Sequence, residues 1–158
     1  MSLSIGQAVP ELQLHDSDRK LVKLRENESV STLLLFFPLA FTSVCTKELC
    51  NVRDALAVYN KMKTRVLGIS VDSPATLAKF KTEQGINFPL LSDFNREAGQ
   101  AFDCLYDAFG GWMKGVHKRS AFVFDSQGII KYAEVLENAG ELPDFEKIDK
   151  TLKELAAK

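Results

Sequence analysis

The chain has 158 residues, which is enough for one domain with a hydrophobic core of its own. Hydrophobic residues make up 46%, charged residues 26%, and the formal net charge is −1, so the composition indicates neither a nucleic acid nor a membrane surface as partner. The first residues lack the basic start and apolar stretch of a signal peptide, and the apolar run 33–38 is too short to span a bilayer, so we expect a single domain over residues 1–158 in the cytoplasm.

The first third of the chain predicts a hairpin, a buried strand and a helix. Weak alternation at 12–15 and 21–24, on either side of a polar turn, predicts the hairpin. The apolar stretch 32–37 predicts a strand that is covered on both faces. One helix is predicted from about Thr42 to Lys63, because apolar residues follow at helical spacing: Leu49, Val52, Leu56 and Tyr59.

The remaining elements follow from the same periodicities and from the turn residues between them. They are a buried strand at 65–71, a helix that Asp72 or Ser73 caps and that ends at Gln84, a short strand at 90–91, a helix at 95–102, a hairpin of strands 119–124 and 129–136, and a closing helix at 143–157. This order indicates an α/β fold with a mixed central sheet flanked by helices. It is the order of a thioredoxin fold with an N-terminal hairpin extension.

Three cysteines, Cys45, Cys50 and Cys104, are too few for a disulfide scaffold and are odd in number. In a reducing compartment, neighbouring cysteines are more often catalytic or metal-binding than structural. The histidines His15 and His117 are far from the cysteines in sequence and have no pair spacing, so we expect no metal site. No cofactor is expected either.

Cys45 follows the buried strand 32–37 and a turn, and it lies in the first turn of the predicted helix. Thr42 or Ser43 could cap that helix with a side-chain oxygen. Free backbone N–H groups and the positive end of the helix dipole favour a thiolate at this position. Since the thiolate is the nucleophilic form of cysteine, this position suggests that Cys45 acts as a nucleophile.

A proline, a threonine and the cysteine stand at fixed intervals in Pro38-Leu39-Ala40-Phe41-Thr42-Ser43-Val44-Cys45. This segment resembles the Pro-x-x-x-Thr-x-x-Cys pattern of the peroxiredoxins, the cysteine-dependent peroxidases. Three further segments resemble the same family in the same order: 6–10, 88–93 and 119–125. The sequence of residues 37–42 is similar to that of the AhpE-like subgroup. The spacing of Cys50 after Cys45 is similar to that of the bacterioferritin-comigratory (PrxQ) class.

The resemblance implies roles for five residues. Cys45 is the peroxidatic cysteine, whose thiolate attacks a hydroperoxide and becomes a sulfenic acid. Thr42 contacts the attacked oxygens, Pro38 shields the thiolate from water, and Arg119 holds both thiolate and peroxide. Glu48 orients the arginine. Fixed donors such as the Arg119 guanidinium stabilise the negative charge that develops on the leaving oxygen of the peroxide.

The resemblance also implies that Cys50 resolves the sulfenic acid as an intramolecular disulfide, which a thioredoxin-like dithiol then reduces. On a regular helix, however, five residues separate the two Cα atoms by roughly 8–9 Å, beyond the ~7 Å that a disulfide allows. Resolution by Cys50 therefore requires the first turns to unwind. The alternative is a one-cysteine enzyme, in which an external thiol acts and Cys50 is inert. Cys104 is expected to be buried and structural, or else an alternative resolver.

Two other functions compete with peroxide reduction. A general thiol–disulfide oxidoreductase would use Cys-x-x-Cys, whereas four residues separate Cys45 from Cys50. A redox-sensing relay or a holdase chaperone would react with peroxide without turnover. The expected partners are a hydroperoxide and a thioredoxin-like or low-molecular-weight thiol reductant, with a homodimer through the edge near the active site or a monomer.

Aromatic and basic residues around the motif have simpler interpretations. Phe36, Phe37 and Phe41 are expected in the core, and His117 is expected on the surface. Phe109 and Trp112, in a glycine-rich loop, are candidates for a pocket wall.

Overall fold

The computed structural model describes residues 3–26 and 29–158. Met1 and Ser2, on which the signal-peptide expectation depends in part, lie outside these residues. The described elements, in chain order, are β1 (Gln13–Asp16), β2 (Leu21–Lys23), β3 (Ser31–Phe36), α1 (Ser43–Asp54), α2 (Leu56–Lys61), β4 (Thr64–Ser70), α3 (Pro74–Gln84), β5 (Leu90–Ser92), α4 (Glu97–Ala101), β6 (Ser120–Asp125), β7 (Ile130–Val135) and α5 (Phe145–Ala156).

The strands form one mixed sheet in the order β2-β1-β5-β4-β3-β6-β7. Strands β3, β4 and β5 are parallel neighbours, whereas β6 runs antiparallel to β3 and β7 antiparallel to β6. The N-terminal hairpin extends the sheet through an antiparallel pairing of β1 with β5. The predicted α/β thioredoxin fold with a mixed sheet and a hairpin extension is confirmed.

Strand β3 is the centre of the core, and all six of its residues are buried. Successive side chains point to opposite faces, so Leu33 and Leu35 pack on one side and Leu34 and Phe36 on the other. The first face carries helices α1, α2, α3 and α5, and the second carries α4 and the N-terminal segment. An unbroken apolar strand is therefore what a sheet covered on both faces requires.

The prediction of one helix over 42–63 is wrong, because Ala55 separates α1 from α2. Ala55 has φ −98° and ψ 4°, and its N–H bonds to both Asn51 and Val52 carbonyls at 3.2 and 3.1 Å. This tightened turn resembles the 3₁₀ geometry found at helix ends. The spacing of apolar residues continues across Ala55, so it cannot predict a change in the backbone conformation of that one residue.

Other boundaries agree with prediction to within a few residues. Helix α3 begins after Ser73, whose hydroxyl accepts from the N–H of Thr76, and ends at Gly85 in the left-handed conformation. Helix α4 is shorter than the predicted 95–102, because Arg96 adopts φ 62° and the helix starts only after it.

Candidate active site

Cys45 lies in the first turn of α1, at the end of the parallel strands, and only 1% of it is exposed. Thr42 is the N-cap residue, but the predicted side-chain cap is wrong. Its hydroxyl donates to the carbonyl of Leu39 at 2.7 Å instead. The first N–H groups of α1, which have no carbonyl one turn earlier, therefore remain directed at the pocket end of the helix.

Arg119 connects the residues of the site. Its Nη2 lies 3.3 Å from Cys45 Sγ, and its Nη1 lies 2.6 Å from Glu48 Oε1. Nε and Nη2 also donate to the carbonyl of Ala139, at 3.2 and 3.0 Å. Burial opposes the positive charge of Arg119, but the interactions with Glu48 and Cys45 outweigh burial and raise the pKa of Arg119. The guanidinium is thus fixed by three partners and charged.

Glu48 is fully buried, one helical turn after Cys45 on α1. Burial raises its pKa from 4.5 to about 7, although the charge and hydrogen bond of Arg119 act in the opposite direction. Oε1 binds Arg119, while Oε2 has no hydrogen-bond partner within the described part of the chain. Glu48 therefore holds Arg119 in place, although burial makes the charged form of the Glu48 carboxyl unfavourable.

A cavity of about 190 Å³ opens onto Cys45. It brings together Pro38, Thr42, Cys45 and Arg119, which are predicted site residues, with Phe109 as part of an apolar wall. Phe109 was a candidate wall residue, whereas Trp112 is 75% exposed and does not line this cavity. The cavity therefore presents the thiol next to fixed donors and apolar walls.

A partly buried aspartate, Asp72, supports the turn that carries the motif. Asp72 accepts a hydrogen bond from the N–H of Ala40 at 2.8 Å and from the hydroxyl of Ser70 at 2.7 Å. Sequence reasoning treated Asp72 only as a possible helix cap. Asp72 follows β4, whose carboxyl end lies beside that of β3, and this position could have predicted that Asp72 contacts the turn after β3.

Phe41 stands in the same turn with φ 68°, a conformation that non-glycine residues seldom adopt. Its ring packs edge-on against Phe80 at 5.1 Å between centroids, yet 48% of the residue is exposed. The expectation that Phe41 belongs to the core is wrong, whereas Phe36 and Phe37 are fully buried as expected.

Cys50 is the last predicted site residue, and it is not part of the cavity. It is partly buried on α1, and its Sγ lies 3.7 Å from Oε1 of Gln84 at the end of α3. Cys104 is completely buried away from the cavity, and burial raises the pKa of its thiol. Its burial agrees with the expected structural role.

His117 is completely buried, so its predicted surface position is wrong. Its Nε2 lies 2.7 Å from Oδ2 of Asp93. The Asp93 carboxylate also accepts from the N–H of Ala98 through Oδ1 and from the N–H of Gly99 through Oδ2. This cluster holds the segment before Arg119 against α4. The burial of His117 could have been suspected from its position two residues before Arg119, which begins a segment that resembles the family.

Two further properties concern residues 3–26 and 29–158 alone. None of the helices there is both long and apolar enough to cross a membrane. No three histidine, cysteine, aspartate or glutamate side chains are grouped there to hold a metal ion.

The chain is similar to known proteins over most of its length. Residues 5–133 match the model of the AhpC/TSA family. The chain is 37% identical over 145 residues to alkyl hydroperoxide reductase E of Mycobacterium tuberculosis, covering 90% of this chain and 91% of that protein.

Solved structures show the same fold. The crystal structure of peroxidoxin BcpB from Mycobacterium tuberculosis superposes with a TM-score of 0.81 at 28% identity, covering 97% of this chain and 96% of that one. A PrxQ structure from Xylella fastidiosa gives a TM-score of 0.83 at 24% identity, covering 99% and 98%.

Proposed function

We propose that Cys45 of this chain, which belongs to the AhpC/TSA family of peroxiredoxins, is the residue that attacks the peroxide. Family membership makes the protein a thiol-dependent peroxidase. The roles of the individual residues are our proposal, and the contact of Arg119 with Cys45 Sγ carries it.

The reaction begins when the Cys45 thiolate attacks the terminal oxygen of a hydroperoxide. The O–O bond breaks, the Cys45 sulfur becomes a sulfenic acid, and the other oxygen leaves as an alkoxide or hydroxide that takes up a proton. Arg119 lies 3.3 Å from the thiol, so its guanidinium can stabilise both the attacking thiolate and the negative charge on the leaving oxygen. Glu48 and the carbonyl of Ala139 hold the guanidinium in place beforehand.

Thr42 orients the peroxide by accepting a hydrogen bond. Its hydroxyl hydrogen is committed to the Leu39 carbonyl, so its lone pairs face the cavity as acceptors for the peroxide O–H. The backbone N–H of Cys45, in the first turn of α1, is a donor for the leaving oxygen. Pro38 has no N–H and keeps water from the thiolate as part of the cavity wall.

Cys50 then resolves the sulfenic acid, and an external thiol, such as a thioredoxin-like dithiol or a low-molecular-weight thiol, reduces the resulting disulfide. The 12-residue helix α1 carries both cysteines, so its first turns must unwind for their sulfurs to meet. The one-cysteine mechanism, with direct reduction by an external thiol, is the alternative that the experiment below separates.

A peroxide titration with thiol counting tests these steps. Wild type should lose two thiols per peroxide and Cys50→Ser one, whereas Cys45→Ser should lose none and should consume no hydroperoxide. Undiminished peroxide consumption by Cys45→Ser would refute the site. Loss of a single thiol in wild type would refute resolution by Cys50 and support the one-cysteine mechanism.

A homodimer through the edge near the active site remains our expectation for the assembly. Phe41, which is 48% exposed and directly precedes Thr42 of the cavity wall, supports such a contact. Light scattering of wild type and Phe41→Ser over a concentration series tests it: a dimer that Phe41→Ser weakens supports this edge, and a wild-type monomer refutes it.

A further inference from the structure

The Cys50 thiol is held on the side of α1 that faces helix α3. Five residues along a helix correspond to a turn of about 140°, so Cys50 and Cys45 point in different directions. The Cys50 S–H donates to Oε1 of Gln84, the last residue of α3, at a distance of 3.7 Å. Cys50 also packs against the apolar core on this face of the sheet.

Gln84 is also where the C-terminal part of α1 is fastened. The Arg53 guanidinium donates to the Gln84 carbonyl, and the side-chain amide of Asn87 donates to the Arg53 carbonyl at 3.3 Å. Arg53 lies one turn after Cys50, so Gln84 holds the helix with its carbonyl and the thiol with its side chain. By contrast, the first turn of α1 has neither a side-chain cap nor an acidic residue.

We propose that Gln84 is a positioning residue that restrains the Cys50 thiol and thereby sets how fast Cys50 resolves the Cys45 sulfenic acid; this inference rests on the proposed function. In the resolving step, the Cys50 sulfur attacks the Cys45 sulfur and an S–S bond forms. The S–O bond of the sulfenic acid breaks, and hydroxide leaves as water with the proton from Cys50.

The hydrogen bond from Cys50 to Gln84 cannot survive this step, because the disulfide sulfur has no hydrogen to donate. The bond stabilises only the state before resolution, so it adds to the barrier. A slower resolution leaves the sulfenic acid exposed for longer to a second peroxide, which oxidises it to a sulfinic acid. Gln84 therefore controls the division of Cys45 between disulfide and sulfinic acid.

Two substitutions at Gln84 have opposite expected effects. Gln84→Leu keeps the approximate size but removes the acceptor, and disulfide formation should become about three- to tenfold faster, as the loss of one neutral hydrogen bond allows. Gln84→Glu keeps the acceptor and adds a negative charge next to the sulfur. That charge opposes the Cys50 thiolate, so resolution should slow by about threefold or more.

The measurement is a rapid-quench experiment on the reduced full chain with hydrogen peroxide. Intact-mass spectrometry after dimedone and maleimide trapping counts sulfenic acid, disulfide and sulfinic acid at each time. Gln84→Leu should give less sulfinic acid at tenfold excess peroxide, and Gln84→Glu should give more. Glu83→Gln, which alters only an exposed pair with Lys79 in the same helical turn, is the matched control and should equal wild type.

A merely structural role of Gln84 would move both variants in the same direction, and that result would overturn the proposal. Rates equal to those of Glu83→Gln would overturn it as well, while the wild-type disulfide would still support resolution by Cys50. If wild type consumes peroxide but forms no disulfide between Cys45 and Cys50, both the proposed role of Gln84 and the proposed resolution by Cys50 are refuted.

Discussion

The charge of Glu48 gives the sharpest quantitative prediction, because burial and the ion pair with Arg119 act on it in opposite directions. Glu48 is fully buried, and its pKa is raised from 4.5 to about 7, so burial prevails. At about 1.4 kcal/mol per pH unit, this difference corresponds to roughly 3 kcal/mol of folding stability.

The sign follows from the two states. Below its unfolded value of 4.5, Glu48 is protonated whether the chain is folded or not, and its contribution to stability is fully present. As the pH rises, the unfolded carboxyl ionises first, so the folded state loses stability until the pH has passed about 7. Between pH 5 and 8 the loss is about 2.5 kcal/mol.

Urea unfolding of Cys45→Ser and of Cys45→Ser with Glu48→Gln measures this effect, because the serine removes the titration of the active-site thiol. The glutamine side chain does not ionise, so the double variant should gain about 2.5 kcal/mol over the single variant between pH 5 and 8. The exposed substitution Glu83→Gln in the same background should produce no such pH-dependent difference.

Two results would refute this reasoning. A constant difference between the variants would mean that the pKa of Glu48 does not change on folding. A difference of the opposite sign would mean that the Glu48 pKa is lowered, and that the Arg119 ion pair at 2.6 Å prevails over burial.

Three further predictions concern the reaction. Arg119→Lys keeps the charge but loses the fork that joins three partners, so oxidation of Cys45 in stopped flow should slow on the order of 10²–10³-fold; a rate near wild type would contradict the role. Thr42→Val should slow the same step at least tenfold while Thr42→Ser preserves it, because only the hydroxyl is required; equal rates would remove Thr42 from the mechanism. Cys104→Ala should still lose two thiols per peroxide in the titration, and the loss of only one would make Cys104 the resolving residue.

Most of the fold could be predicted from the sequence, because strand and helix periodicity are local properties. The run 32–37 has no polar residue after its first threonine, and that is enough to predict a central strand. The same pattern could not reveal the break at Ala55, since apolar spacing continues across it. Nor could it show that Phe41 is about half exposed, because the left-handed backbone of that residue is set by the turn around it.

By itself, the sequence determined the position of Cys45 in the first turn of a helix after a buried strand, and the resemblance of its motif to a peroxidase family. Only the tertiary structure brought Arg119, 74 residues away along the chain, to 3.3 Å from the thiol. It alone buried Glu48 beside that arginine and turned Cys50 towards Gln84. Helix position depends on neighbouring residues, whereas the partners and burial of a charged group depend on how distant elements pack across the sheet.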